Sequence, residues 1–487
     1  MSADRPRAEP HVALTRSQVD VWLGDRSSSW PTAQIAPGYW VPAAVDPELL
    51  SRALADVVAH HIPLRTRITP GPAVPHASLR DVPARFPLAH VDLRGTPPAE
   101  RTSAAERIWA EQAVQPFDLS QDWPLRATLV TLDDDAHLLV LLLSHVIADG
   151  WSCGVLVDEL RDRYRSLLKD PDTAREGPAE AWSRYVREYE ADSASGRLTR
   201  DLPWWRDQLA DAPWDALPSV GADADDDADL TSASLFFELS PEIGTGLHEV
   251  ASSLRSSVYC VTLAVLAVTL ADWTAREEVL TTVPYARREE SDYEPLVGLF
   301  AHRLALRLPV DRDTPFPAVV HGVQEVLLDA LDHADVTFPR IQQSLRAAGT
   351  PVSARISAQV YPRSMCEATP TESGGLPFRL LGFQTPVSRL SLALYLVEPD
   401  DGPLTGWLTH RTTVLPAEQA EQFLALLLAV LRTAIATPEE TVCDLLEAAR
   451  VRPPVAVPRS GFLDPLIQPC ASSATDCHFS HPARRCS

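Results

Sequence analysis

Leu138-Leu139-Val140-Leu141-Leu142-Leu143 is pure hydrocarbon, and it runs straight into Ser144-His145-Val146-Ile147-Ala148-Asp149-Gly150-Trp151-Ser152. An apolar run of this length reads as a buried strand. Beyond the loop, Val157, Leu160, Tyr164 and Leu167 recur at helical spacing until Asp170-Pro171 stops the helix. Helices and strands alternate through both halves of the chain, the pattern of an α/β fold. The buried strand also fixes where chemistry can sit, because loops held by a rigid scaffold are where folds expose functional groups. His145 stands in that loop, and an imidazole exchanges protons near neutral pH. Asp149, four residues on, is placed to turn back and pin the loop.

At 487 residues the chain exceeds the size at which one core usually splits, so two domains are expected. In the first part, Asp46 caps a helix with Pro47 at its first position. Leu50, Leu54, Val57 and Val58 form its core stripe, and it ends near His60-His61. Strands follow over 125–132 and 137–144, joined at an acidic tip, Asp133-Asp134-Asp135. Trp182, Tyr185 and Tyr189 mark a short aromatic helix with a core stripe, and 221–229 reads as an acidic linker. The pattern then restarts: a strand at 235–239, a helix from Pro241, a buried helix at 258–271 and a strand at 279–284. An extended run at 300–308 leads to a helix over 314–332. A hairpin over 391–397 and 404–412 turns at Pro399-Asp400-Asp401-Gly402, and a last helix spans 417–431. The expected division is a disordered stretch 1–13, units at 14–175 and 231–450 joined by 176–230, and a disordered tail at 451–487.

Several function classes are disfavoured. A formal net charge of -23 argues against nucleic acid and against anionic membranes, both of which want basic surfaces. Seven cysteines, dispersed and without a CxxC pair, fit a reducing compartment, so a cytoplasmic location is expected. The first ten residues lack a charged-then-apolar targeting pattern. The apolar stretch 258–271 is too short to span a bilayer. Cys470, Cys477, His478, His481 and Cys486 cluster near the end, but their irregular spacing does not make a zinc site. No metal and no directly bound cofactor is expected.

Several segments, taken in order, resemble one family. Leu14-Thr15-Arg16-Ser17-Gln18 with Trp22, then Leu64-Arg65-Thr66, are similar to the opening motifs of the condensation domains of nonribosomal peptide synthetases. These domains belong to the chloramphenicol-acetyltransferase-like acyltransferases. Pro116-Phe117-Asp118-Leu119 and Pro124-Leu125-Arg126 precede the 144–152 segment, which stands where that family carries HHxxxDG. Trp205-Arg206 with Leu209 resembles its linker tryptophan segment. Val283-Pro284, Arg288 and Val297-Gly298-Leu299-Phe300 resemble the motif ending in GxFxN. The resemblance implies two acetyltransferase-like subdomains in a V-shaped pseudo-dimer with a central tunnel. It implies acyl or peptidyl carrier proteins as partners, bringing substrates on phosphopantetheine arms. It also implies that a small-molecule amine or alcohol attacks the thioester to give an amide or ester, in a protein that stands free of further domains. His145 is then the catalytic base. Asp149 becomes a loop anchor held by Arg288, with Arg287 as the alternative. Ser144, Gly150, Trp151, Ser152 and His302 are expected to line the tunnel.

Three residues depart from the family's pattern. Ser144 replaces the first signature histidine, His302 the asparagine after GxF, and Arg389 the aspartate of a late strand. His302 is a candidate replacement for the imidazole missing at position 144. The same departures keep open a degenerate domain that recruits a tailoring enzyme or modifies a carrier-bound intermediate.

Overall fold

The structure, a computed structural model, describes residues 11–451 apart from 73, 174–179, 215–216, 218–228, 289–290, 351, 354, 363–374 and 399–403. The Pro399-to-Gly402 turn, the Cys/His cluster near the end and all of the acidic linker but Asp229 therefore lie outside the described residues.

The first sheet explains the hydrocarbon run. Ala136–Ser144 lies at its centre, antiparallel to Leu125–Asp133 on one side and Pro37–Val41 on the other. Leu139, Leu141 and Leu143 face a core built with helices Pro47–His60 and Gly150–Lys169. Leu138 and Val140 face the opposite way, against Ala105 and Trp109 of helix Pro98–Ala113. Alternation sends successive side chains to opposite faces, and here both faces are covered, so every position must be apolar. Asp46 caps the Pro47–His60 helix as expected, accepting from Glu48 N at 2.9 Å.

The second sheet runs in the order His302–Pro309, Glu278–Tyr285, Ile356–Pro362, Leu392–Glu398, Leu404–Arg411, Ser232–Leu239. Helix Val258–Thr274 is buried along its length beneath it, packed with Pro241–Ser253, Phe316–Asp332 and Ala417–Ala436. That explains an all-apolar helix too short for a bilayer: it is a core element. Ala417–Ala436 is long and apolar enough to cross a membrane, but 56% of its most apolar window is buried inside the fold. The Trp182, Tyr185, Tyr189 stripe is also core, packed with Tyr293, Leu296 and Phe300.

Among the described residues, one strand from beyond residue 230 joins the first sheet. Strand Arg379–Phe383 pairs antiparallel with Pro37–Val41 and so belongs to the first sheet. The expected disorder over 1–13 does not hold for His11 and Val12, which pair with Ser78 and Ala77. Helix Arg16–Arg26 precedes the one expected to be first, held by a capping box in which Thr15 and Gln18 satisfy each other's backbone N–H groups. Helix Val442–Val451 follows the one expected to be last. Of the described cysteines, Cys153 and Cys260 are buried and Cys443 is partly buried.

Candidate functional site

His145 follows directly from the central strand, where its backbone N–H donates to Ala33 O at 2.8 Å. Its Nδ1 lies 2.7 Å from Ala148 O. A carbonyl only accepts, so Nδ1 carries the proton and Nε2 keeps a free lone pair. Burial is the main influence on the ring and pushes its proton affinity below the ordinary histidine value; Arg303 pushes the same way. At neutral pH the imidazole is therefore uncharged and able to accept a proton.

His145 lines a cavity of about 470 Å³ between the two halves. Gly150, Trp151 and Ile35 contribute from the first half, and Arg303, Gln359, Tyr361 and Tyr395 from the second. Its aromatic wall is a stack in which Tyr395 lies 4.9 Å from Trp407 and 6.3 Å from Tyr361, nearly parallel to both. The rest of the lining mixes apolar residues with polar side chains such as Gln34, Gln359 and Gln384.

Asp149 caps helix Gly150–Lys169, and its carboxylate is fully spent. Oδ1 accepts from Ser152 N at 2.9 Å and from Arg288 Nη2 at 3.2 Å, with Ser152 Oγ at 2.7 Å. Oδ2 accepts from Phe300 N and Ala301 N, both at 3.1 Å. Both side chains of the ion pair are shut away from solvent, at 0% exposure for Asp149 and 2% for Arg288. Arg288 also donates to Leu296 O at 2.8 Å and stacks 4.0 Å from the Phe300 ring. The neighbouring Arg287 faces Asp192 instead, at 3.5 Å. Three further stitches hold the loop. Gln18 Nε2 donates to Val146 O at 3.1 Å, Val297 N donates to His61 Nδ1 at 3.3 Å, and Gly298 N donates to Ser152 Oγ at 3.1 Å. Residue 298 must be glycine because a Cβ there would sit 2.3 Å from the Trp182 ring.

Of the residues expected to line the tunnel, Gly150 and Trp151 do. Trp151 is also a packing residue, its indole N–H donating to Glu294 O at 3.0 Å. Ser144, Ser152 and His302 do not line the cavity. Ser144 is buried, and its Oγ accepts from Val146 N at 3.4 Å. Ser152 is consumed by the Asp149 and Gly298 contacts. His302 bonds Ala334 O through Nε2 at 2.8 Å, and burial pushes its proton affinity down to about 4. It does not replace the imidazole missing at 144, because strand parity sets it on the side of Leu304, Leu306 and Leu308, all core residues. Arg389 does reach the cavity, donating to Thr32 Oγ1 at 3.2 Å. Arg65 does not, and bonds Arg80 O at 3.0 Å.

Sequence reasoning missed Arg303, Gln359 and Tyr361. Ser357, Gln359 and Tyr361 alternate with Ile356 and Ala358 along one strand, and all three line the cavity. That period of two is the signal that marks them.

Residues 8–449 match the Condensation domain family model. The chain belongs to the condensation-domain family. Malpibaldin synthetase of Mortierella alpina is 26% identical over 90% of this chain, and phosphinothricin tripeptide synthetase PhsB of Streptomyces viridochromogenes is 30% identical over 69%. The matched regions are 8% and 28% of those proteins' own lengths. Among solved structures, the first condensation domain of the calcium-dependent antibiotic synthetase superposes with a TM-score of 0.78 at 23% identity, covering 89% of this chain and 99% of that one. The X-domain from teicoplanin biosynthesis gives 0.71, also at 23% identity, covering 91% and 98%. The fold is thus the mixed α/β fold of condensation domains, and the relatives are nonribosomal peptide synthetases, which build natural products.

Proposed function

We propose that this domain joins a carrier-bound acyl or peptidyl thioester to an amine, with an alcohol as the close variant. The observation that carries the reading is His145: its Nδ1–H is committed to Ala148 O, leaving Nε2 as acceptor on a ring that lines the cavity. As the amine nitrogen bonds to the thioester carbon, Nε2 takes the proton that nitrogen must shed. The C–S bond then breaks, and the proton passes to the departing pantetheine thiolate. A positioned base of this kind contributes roughly 10² to 10⁴ in rate. The N–H groups of Gly150 and Trp151, in the first turn of the helix after His145, have no partner within that helix and suit the oxyanion. Asp149 takes no proton. It anchors the loop, with Arg288 as its partner.

The reading is tested by mixing the protein with an acyl-loaded carrier protein and candidate amines or alcohols, and following products by mass spectrometry. Product that falls at least a hundredfold in His145→Ala supports it. Product unchanged in that variant removes His145 as base. Carrier binding without product from any pair favours the recruiting role over catalysis.

A further inference from the structure

Three charged residues besides the histidine line the cavity: Asp149, Arg303 and Arg389. Asp149 is saturated by two backbone amides of the second half, by its own helix and by Arg288. Arg389 has Thr32 as an acceptor. Arg303 differs. It projects from the edge strand His302–Pro309 on the same side as Ala301, another lining residue, and opposite Pro284 on the neighbouring strand. Pro284 also lines the cavity. Among the described residues no carboxylate or carbonyl accepts from the Arg303 side chain, and its charge is felt by His145 and by the Tyr395 phenol.

A guanidinium is always charged and offers five donors in a planar fork. The Arg303 side chain is exposed on the cavity side rather than packed in the core, so its fork is open to a ligand. The geometry that fits such a fork is a carboxylate, taken bidentately. Resting on the reading of this cavity as the acyl-transfer site, we infer that Arg303 receives a carboxylate borne by one of the two reactants, next to the atoms that react. That carboxylate has two sources: an acidic side chain on the acyl donor, or the free carboxyl group of an acceptor not tethered to a carrier. Arg303 then acts as a specificity-determining residue.

Two matched probe pairs separate the sources. Succinyl-pantetheine is compared with its carboxamide analogue as donor, and glycine with glycinamide as acceptor. Affinities are measured by calorimetry on the full chain, in the wild type, His145→Ala, Arg303→Gln and Arg303→Lys. One pair is expected to show a carboxylate preference of about 10- to 100-fold, the range of a hydrogen bond to a charged group. That preference collapses in Arg303→Gln and partly returns in Arg303→Lys. Equal binding within both pairs in the wild type overturns the inference, and so does a preference unmoved by Arg303→Gln. A uniform loss across all four probes assigns Arg303 a structural or general electrostatic role instead, and also overturns it. Calorimetry on His145→Ala reads the pocket without turnover. A carboxylate preference kept there, alongside full turnover by the same variant, defeats the base assignment alone.

Discussion

Removing the Asp149 carboxylate should destabilise the whole domain, because that one group satisfies donors from both halves. In Asp149→Ala the N–H groups of Ser152, Phe300 and Ala301 lose their acceptor, and the buried Arg288 guanidinium loses its counter-charge. Breaking a buried ion pair by deleting one partner costs about 3–5 kcal/mol. Loss of the helix cap adds about 1 kcal/mol. Against a typical domain stability of about 5–15 kcal/mol, the variant sits near the threshold of folding. At about 2–4 °C per kcal/mol, the unfolding midpoint, read by tryptophan fluorescence, should fall by roughly 10 to 20 °C. Asp149→Asn retains an oxygen for Phe300 and Ala301 but sets an NH₂ donor against Ser152 N and Arg288, so it should also be strongly destabilised. Adding Arg288→Met to Asp149→Asn removes the orphaned charge and should recover about 1–3 kcal/mol, a coupling that two independent sites would lack. A midpoint for Asp149→Ala within about 2 °C of wild type, or strictly additive losses in the double variant, would refute the clamp.

Two further predictions concern protons. Because burial and the nearby Arg303 charge both lower the proton affinity of His145, the rate should rise with pH to a plateau whose midpoint lies below about 6.5, and Arg303→Gln should move that midpoint upward. His302, at about 4 in the fold against an ordinary 6.5, binds its proton more readily when unfolded. Its contribution of about 3 kcal/mol is therefore intact above about pH 6.5 and is lost as pH falls towards 4. Denaturant unfolding at about pH 7.5 and about pH 5, on either side of the ordinary histidine value, should show a smaller drop for His302→Asn than for wild type, and equal drops would contradict the assignment.

Legibility in the sequence divides along a physical line. The central strand, the capped helices and the buried helix carry their signal in adjacent residues, through period, caps and breakers, and each can be read there. Strand Arg379–Phe383 carries none, since its partner Pro37–Val41 lies far upstream and the pairing depends on the folded sheet. Helix Arg16–Arg26 is hidden for a different reason. Only Gln18 and Trp22 of its residues are buried, so it shows no core stripe, and its capping box is the sole local mark. For the site, the ordered motifs point to His145, Asp149 and Arg288 but do not say which way each side chain turns. His302 shows the gap and also how to close it. Leu304, Leu306 and Leu308 establish the buried parity of that strand, which assigns 302 to the core and 303 to the opposite face. Applied to the extended run, the same alternation points to Arg303 from the amino-acid order alone.

The hydrogen bonds around His145 bear on which nucleophile the site serves. A carboxylate on Nδ1 would raise the proton affinity of the imidazole, as paired charges do. Here the partner is a backbone carbonyl, and the carboxylate four residues away is fully occupied by Arg288 and by amides at 300 and 301. The result is a neutral, weak base. Such a base is poorly matched to an alcohol, which must give up its proton as it attacks. It is well matched to an amine, which attacks with its own lone pair and becomes strongly acidic only once bonded to the carbonyl carbon. Proton transfer to Nε2 is then downhill at the moment it is needed. The amine and alcohol arms of the condensation assay are therefore unequal tests: with donor and loading held constant, this arrangement favours the amide.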